Sequence, residues 1–240
     1  MEILNSVLNY KNLKIYQDTE MFSFTLDSIL ISRFAKFNSK IKKVLDFGTN
    51  NAIIPLIISR YSNAKIVGIE IQKEACIIAQ KNVEENNLKD KVNIINESIQ
   101  DYTEKNLHLF DMVICNPPFF SVKKNSHLTE KSKFLLTARH ETKIELEQIV
   151  ICAQKCLRNG GIFILIHRAE RFAEILELML ENKIIPKRIQ FVYSKKNKNA
   201  KTILIEGILN GNIGMEILPP IIAHNDDDSY TDELKKWFED

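Results

Sequence analysis

Along the chain, short runs rich in Val and Ile alternate with longer stretches whose apolar positions recur every three to four residues. The short runs fall at 43–46, 65–70, 92–95, 111–115 and 161–167. Nearly continuous apolar runs of this length suit strands buried on both faces of a parallel sheet. Helical patterns occupy 53–61, 73–86, 143–157 and 169–181 between them. Strand alternating with helix predicts a doubly wound, Rossmann-like α/β fold. Two further runs, 187–193 and 202–209, have no helical stretch between them, only the polar and basic connector SKKNKNAK. They should pair antiparallel. The expected architecture is therefore a mainly parallel seven-stranded sheet ending in an antiparallel hairpin.

The flanks read differently. Residues 15–24 look extended or looped, and 26–37 look helical, with Thr25 or Asp27 as the capping residue. The last stretch carries Pro219-Pro220 and then an acidic run. It is expected to pack over one sheet edge as loop and short helix, anchored by Trp237 and Phe238. The whole is expected to form one domain, with a capping segment over 1–40, a core over 41–210 and a tail over 211–240.

Length and charge refine this only slightly. A chain of 240 residues suits one large domain, and a net charge of +2 leaves local charge to decide the partners. Cys76, Cys115, Cys152 and Cys156 form no Cys-x-x-Cys pair. The expectation is four buried thiols in a reducing compartment, and no metal site. The N-terminus lacks the layout of a signal peptide, and no apolar run is long enough to cross a bilayer. A soluble, cytoplasmic protein with no membrane partner is expected.

The candidate chemistry sits at strand ends. The first parallel strand closes on Asp46, followed by Phe47-Gly48-Thr49-Asn50-Asn51-Ala52 and a helix, the position at which doubly wound folds bind nucleotides. Gly48 permits close backbone approach to a ligand. Asn50 and Ala52 occupy the next two alternating positions; asparagine tolerates a left-handed backbone, and alanine is the next smallest residue after glycine. Glu70, with Ile71 beside it, ends the next strand, where a carboxylate can bind a ribose diol. Ser98 and Ile99 follow the third strand at the same edge. A NAD-binding loop would carry Gly-x-Gly-x-x-Gly, which is absent.

The fourth strand runs directly into Asn116-Pro117-Pro118-Phe119. An exocyclic amine on a base is a poor nucleophile, because its lone pair is delocalised into the ring. It needs acceptors that hold its N–H bonds and turn the lone pair toward a donor. The Asn116 amide oxygen and the Pro117 carbonyl can be those acceptors, on a turn stiffened by Pro117 and Pro118. Phe119 offers a face on which the base can stack.

Asn116-Pro117-Pro118-Phe119 resembles the motif of class I methyltransferases that act on the amino groups of adenine, guanine or glutamine. The segment from Tyr16-Gln17-Asp18 to Phe22-Ser23-Phe24-Thr25-Leu26-Asp27-Ser28 is similar to the bacterial tRNA1(Val) adenine-N6 methyltransferase family. So are Ile53-Ile54-Pro55-Leu56, Ala138-Arg139-His140-Glu141 and Ile217-Leu218-Pro219-Pro220. The resemblance implies S-adenosyl-L-methionine as cofactor and the adenine at position 37, beside the anticodon of a valine tRNA, as target. It also implies that Phe22, Phe24 and Asp27 lie near the methionine end of the cofactor. The resemblance further implies that Ser98 and Ile99 lie at the adenine end of the cofactor; Ser98 departs from the acid usual at its position, and Asn50 and Ala52 replace glycines of the methyltransferase loop. Phe119 is tyrosine in many adenine enzymes and phenylalanine in some guanine-N2 enzymes.

Two locally basic stretches suit phosphate contacts. One carries Lys123, Lys124 and Arg139; the other, 183–201, includes Arg188, Lys195, Lys196 and Lys198 and no acid. An anticodon loop presents its adenine partly unstacked, so a small enzyme can extract it. The competing readings are a guanine-N2 methyltransferase on ribosomal RNA, a glutamine-N5 methyltransferase on protein, and a non-catalytic RNA-binding descendant.

Overall fold

The computed structural model describes residues 2–18, 25–118 and 145–239. The chain opens with an antiparallel hairpin of β1 (Glu2–Ser6) and β2 (Lys14–Asp18). Helix α1 (Leu26–Phe34) leads into β3 (Lys43–Phe47), α2 (Ile53–Ile58), β4 (Lys65–Glu70), α3 (Lys73–Glu85) and β5 (Val92–Asn96). Then come α4 (Ile99–Lys105), β6 (Phe110–Cys115), α5 (Leu146–Cys156), β7 (Leu157–Arg168) and, after one 3-10 turn, α6 (Phe172–Glu181). The hairpin β8 (Ile184–Tyr193) and β9 (Ala200–Leu209) follows. The tail adds β10 (Glu216–Ile217), β11 (Ile221–Ile222) and α7 (Asp232–Lys235).

The seven expected strands lie in the order β8-β9-β7-β6-β3-β4-β5, and β9 alone runs against its neighbours. The short β10 and β11 both pair parallel with the outer edge of β8 and bring the sheet to nine strands. Helices α1 to α3 cover one face and α4 to α6 the other. Alternation along the central strands sends Met112, Ile114, Ile164 and Ile166 to the first core and Val113, Cys115, Phe163 and Leu165 to the second. All four cysteines are buried and free.

Several boundaries differ from the expected ones for local reasons. β7 starts at Leu157 rather than 161, because the polar stretch Arg158–Asn159–Gly160 interrupts the apolar run without ending the strand. Gly160 takes φ +74° there, and the register with β6 shifts between Phe110 and Met112. α1 stops at Phe34, short of the expected 37, where Ala35 turns extended. Thr25 takes the position before α1, but its carbonyl, not its side chain, receives the Ser28 N–H at 3.1 Å. The hairpin β1–β2 and helix α4 are additions to the expected elements.

Two asparagines one turn apart on α3 and its C-terminal end hold the N-terminal hairpin. The Asn82 amide accepts the Tyr16 N–H at 2.6 Å and donates to the Tyr16 carbonyl at 3.1 Å. Asn86 repeats the pattern with Lys14, at 3.0 and 2.7 Å. Alternate backbone groups of β2 are thereby satisfied by side chains, as a neighbouring strand would satisfy them. Asn82, fully buried, also donates to the Asn51 carbonyl at 2.9 Å and so ties this hairpin to the loop after β3.

Arg188 fastens the other flank. Its guanidinium forms a buried, two-pronged pair with Glu206, at 3.1 and 2.5 Å, and donates to the Phe34 carbonyl at 2.9 Å. That carbonyl lies in the last turn of α1, where the helix dipole favours a cation. The tail returns over this region, and Phe238 is buried while Trp237 packs at the rim of the first core. The Asn9 N–H donates to the Phe238 carbonyl at 3.0 Å, and the Tyr10 hydroxyl to the Trp237 carbonyl at 2.8 Å. No helix among the described residues is long and apolar enough to cross a membrane.

Candidate active site

The C-terminal ends of β3, β4, β6 and β7 share one edge of the sheet. The loop after β3 places Gly48, Asn50 and Ala52 at φ +69°, +49° and +66°. The alternating left-handed shape thus survives two replacements of glycine, at a steric cost of roughly 1–2 kcal/mol for a side chain such as alanine. A side-chain atom on Gly48 would meet nothing within 4 Å, so the backbone there faces open space. Gly68 is the reverse case: a Cβ would stand 2.7 Å from the Thr49 hydroxyl, and only glycine lets Thr49 tuck against β4.

Glu70 is bonded into this loop. Its Oε2 accepts the Asn50 N–H and its Oε1 the Gln72 N–H, both at 2.9 Å. Burial raises its pKa, and these N–H groups offset part of that. Each oxygen keeps acceptor capacity for a ribose hydroxyl. Asn96 donates to the carbonyls of Glu70 and Ile71 at 2.8 and 3.0 Å, fixing the strand end, and Ile71 is 45% exposed beside it.

Asp46 lies deeper, 1% exposed. Burial pushes its carboxyl up to about 7; the Thr49 hydroxyl beside it lowers it somewhat, and the Glu70 charge raises it further. Among the described residues, both Asp46 oxygens, the Thr49 hydroxyl and both amide atoms of Asn51 are buried without a partner in full hydrogen-bond geometry. Each such atom costs on the order of 1–3 kcal/mol, and native proteins concentrate them where a ligand supplies the missing partner. A buried carboxylate, an amide, an open left-handed loop and the Glu70 carboxylate at the next strand end together suit S-adenosyl-L-methionine. That molecule offers an α-ammonium group, an α-carboxylate and a ribose.

The residues expected at the adenine end differ from expectation in one respect. Ser98 caps α4: its hydroxyl accepts the Asp101 N–H at 3.1 Å and donates to Asp101 Oδ2 at 2.7 Å. Its proton is engaged, and the acid at this end is Asp101, which spacing does not single out. Ile99 is half-buried against the second core.

On the acceptor side, β6 delivers Asn116 half-buried, Pro117 buried and Pro118 exposed. The Asn116 Nδ2 donates to the Ser28 hydroxyl at 3.1 Å. Asp27, next to Ser28, is half-buried; burial raises its pKa, and the Arg168 charge lowers it. His167, at the end of β7, is buried, and its Nδ1 accepts the Arg168 N–H at 2.8 Å. Burial, then Arg171, brings its pKa down to about 4, so it is neutral near pH 7. Ser28, Asp101 and His167 escape sequence reasoning. Phe24, Phe119, Lys123, Lys124 and Arg139 lie outside the described residues, as does Phe22.

The second basic stretch is divided by the fold. Arg188 is buried in its pair with Glu206, so its expected availability to a polyanion is corrected. Lys187 bonds the Asn212 carbonyl near the opposite sheet edge. Residues 194–199, joining β8 to β9, lie on the same edge as Asn116. Strand β8 stands three positions from β6, about 14 Å at normal strand spacing. Lys196 and Lys198 are exposed there. Lys195 donates to the Asp226 carbonyl at 2.9 Å and pairs with Asp228 at 2.8 Å.

Known proteins share this fold. Among solved structures, one described as a predicted O-methyltransferase from Agrobacterium tumefaciens superposes with a TM-score of 0.69 at 15% identity, over 89% of this chain and 97% of that one. A geranyl diphosphate C-methyltransferase from Streptomyces coelicolor gives 0.57 at 10% identity, over 76% of each chain. In sequence, a tRNA1(Val) (adenine(37)-N6)-methyltransferase from Parabacteroides distasonis is 23% identical over 84% of this chain and 83% of its own. Proteins of that name from Cytophaga hutchinsonii and Porphyromonas gingivalis are 25% and 27% identical, each over 83% of this chain and 82% and 80% of their own. The family model described as "Methyltransferase small domain" matches residues 12–192. On a match that runs from the turn before β2 to the end of β8, the chain belongs to that family of methyltransferases.

Proposed function

We propose that this protein transfers a methyl group from S-adenosyl-L-methionine to the exocyclic N6 of adenine 37, beside the anticodon of a valine tRNA, in the cytoplasm. The observation that carries this reading is the placement of Asn116-Pro117-Pro118 on the same sheet edge as the cofactor loop, joined to relatives of that activity along most of the chain.

S-adenosyl-L-methionine supplies an activated methyl group on a sulfonium. Asp46, Asn51, Gly48, Asn50 and Ala52 would hold its amino-acid part, with Asp27 nearby; Glu70 would hold the ribose, and Ile71, Ile99 and Ser98 would border the adenine. The chain's remaining work is done on the target amine. Asn116 Oδ1 and the Pro117 carbonyl accept its two N–H bonds and turn the nitrogen lone pair toward the methyl carbon. The N–C bond forms as the S–C bond breaks, and one amine proton leaves to solvent. The two carbonyl dipoles stabilise the positive charge that passes through the nitrogen. No strong base is required, in keeping with a neutral His167. Phe119 stacks on the base, and Lys123, Lys124, Arg139, Lys196 and Lys198 contact phosphates, with Lys195 shared between RNA and Asp228.

The test is nucleoside mass spectrometry on unmodified tRNA transcripts incubated with the protein and S-adenosyl-L-methionine. N6-methyladenosine confined to a valine tRNA is expected. N2-methylguanosine in ribosomal RNA, or methylated glutamine in protein, would overturn the choice of substrate.

A further inference from the structure

The Asn116 amide carries two opposite ends, and only one is useful to an amine. Its oxygen accepts the amine N–H; its nitrogen would meet that N–H as donor against donor. An amide at the end of a strand rotates freely unless something holds it. Here Nδ2 donates to the hydroxyl of Ser28, at 3.1 Å and 88 positions away in sequence. Ser28 is itself 5% exposed and firmly held. Its N–H is bonded to the Thr25 carbonyl at 3.1 Å, and its carbonyl receives the Ser32 hydroxyl at 2.6 Å. The far end of the same helix is pinned by Arg188 on the Phe34 carbonyl at 2.9 Å.

We propose that Ser28 is a positioning residue for methyl transfer: its hydroxyl holds the Asn116 amide with Oδ1 toward the target amine. The inference rests on the amino-methyltransferase reading above. In this role Ser28 acts through Asn116. The hydroxyl group matters, not the bulk of the side chain, and the substitution Ser28→Thr retains it.

A double-mutant cycle on the full chain separates this role from a structural one. A carboxylate has two equivalent oxygens and no wrong end, so Asn116→Asp removes the need for orientation. Ser28→Ala should lower kcat about tenfold in the parent, the rate equivalent of one ordinary hydrogen bond, with cofactor Kd unchanged. In the Asn116→Asp background the same change should stay within about twofold, and Ser28→Thr should keep the parent rate. The Asn116 side-chain amide signals, read by NMR without cofactor or RNA, should shift in Ser28→Ala toward those of an unbonded asparagine amide. Equal losses in both backgrounds, or unshifted amide signals with an unchanged kcat, overturn the proposal. A parent protein that methylates no RNA or protein amine would instead sink the underlying reading, while the NMR comparison still tests the contact.

Discussion

The Glu70 carboxylate and the Asn50 backbone N–H are joined at 2.9 Å, so the acid expected to bind a ribose also builds the loop expected to bind the amino-acid end. One oxygen serves Asn50 and the other Gln72. Glu70→Gln would replace one acceptor by an NH2 group facing an N–H. The expected result is a loss of at least about tenfold in cofactor affinity and roughly 1–3 kcal/mol of stability, from one buried donor left facing another. Calorimetric titration and urea unfolding measure the two; a loss of affinity at constant stability would show that the loop does not depend on Glu70.

Asp46 should make cofactor binding depend on pH. Its folded pKa of about 7 lies above the ordinary 3.8, so between those values the folded protein holds more proton than the unfolded chain. Stability without cofactor should therefore fall as pH rises through that window and level off above it. A cationic ligand favours the ionised carboxylate. Cofactor affinity should rise with pH, by up to about tenfold per unit below 7, and then flatten. Asp46→Asn should abolish the slope; a persistent slope would assign it to another group.

Gly68 controls the loop from beneath. Gly68→Ala places a Cβ 2.7 Å from the Thr49 hydroxyl and 2.9 Å from Ile94. Displacement of Thr49 should weaken cofactor binding and lower stability by about 1–3 kcal/mol, the usual range for overpacking. Thermal unfolding with and without S-adenosyl-L-methionine would report both, and a variant that matches the parent in each would refute the close fit.

The basic loop should divide by residue. Lys196 and Lys198 are exposed, whereas Lys195 is engaged by Asp228 and the Asp226 carbonyl. Replacing Lys196 and Lys198 together should reduce the salt slope of RNA binding by about 1–2 units. Lys195→Ala alone should change it less. Asp228→Asn, which frees Lys195, should strengthen RNA binding at low salt. Filter binding across a salt series would decide, and equal effects from all three lysines would deny Asp228 any influence.

Much of the fold is legible in the sequence because its strands are buried on both faces; their apolar runs carry little else. The loop after β3 and the Asn116 turn are legible as candidates because they join strand ends, where chemistry and spacing coincide. Helix α4 is hidden although Ser98 and Asp101 form a recognisable cap, because Ser98 reads as readily as a group facing the ligand. The β1–β2 hairpin is hidden because its first strand is largely exposed and has no alternating pattern; the readable sign is Asn82 and Asn86, four apart and on one side of α3. Ser28 cannot be found from sequence, since its partner is brought to it only by the packing of α1 across the sheet.

The contacts of Asn9 with Phe238 and of Tyr10 with Trp237 bear on how the molecule assembles. The second of them closes a circuit of 227 positions, and both need the β1–β2 turn and the tail to be in place together. Contacts this distant in sequence bring the largest loss of chain freedom and tend to form after local ones. The central strands and their helices can consolidate first, and the clasp between the two flanks records that the sheet beneath is complete. Trp237, the chain's only tryptophan, sits in that clasp, so its fluorescence should report the last stage of folding rather than the first.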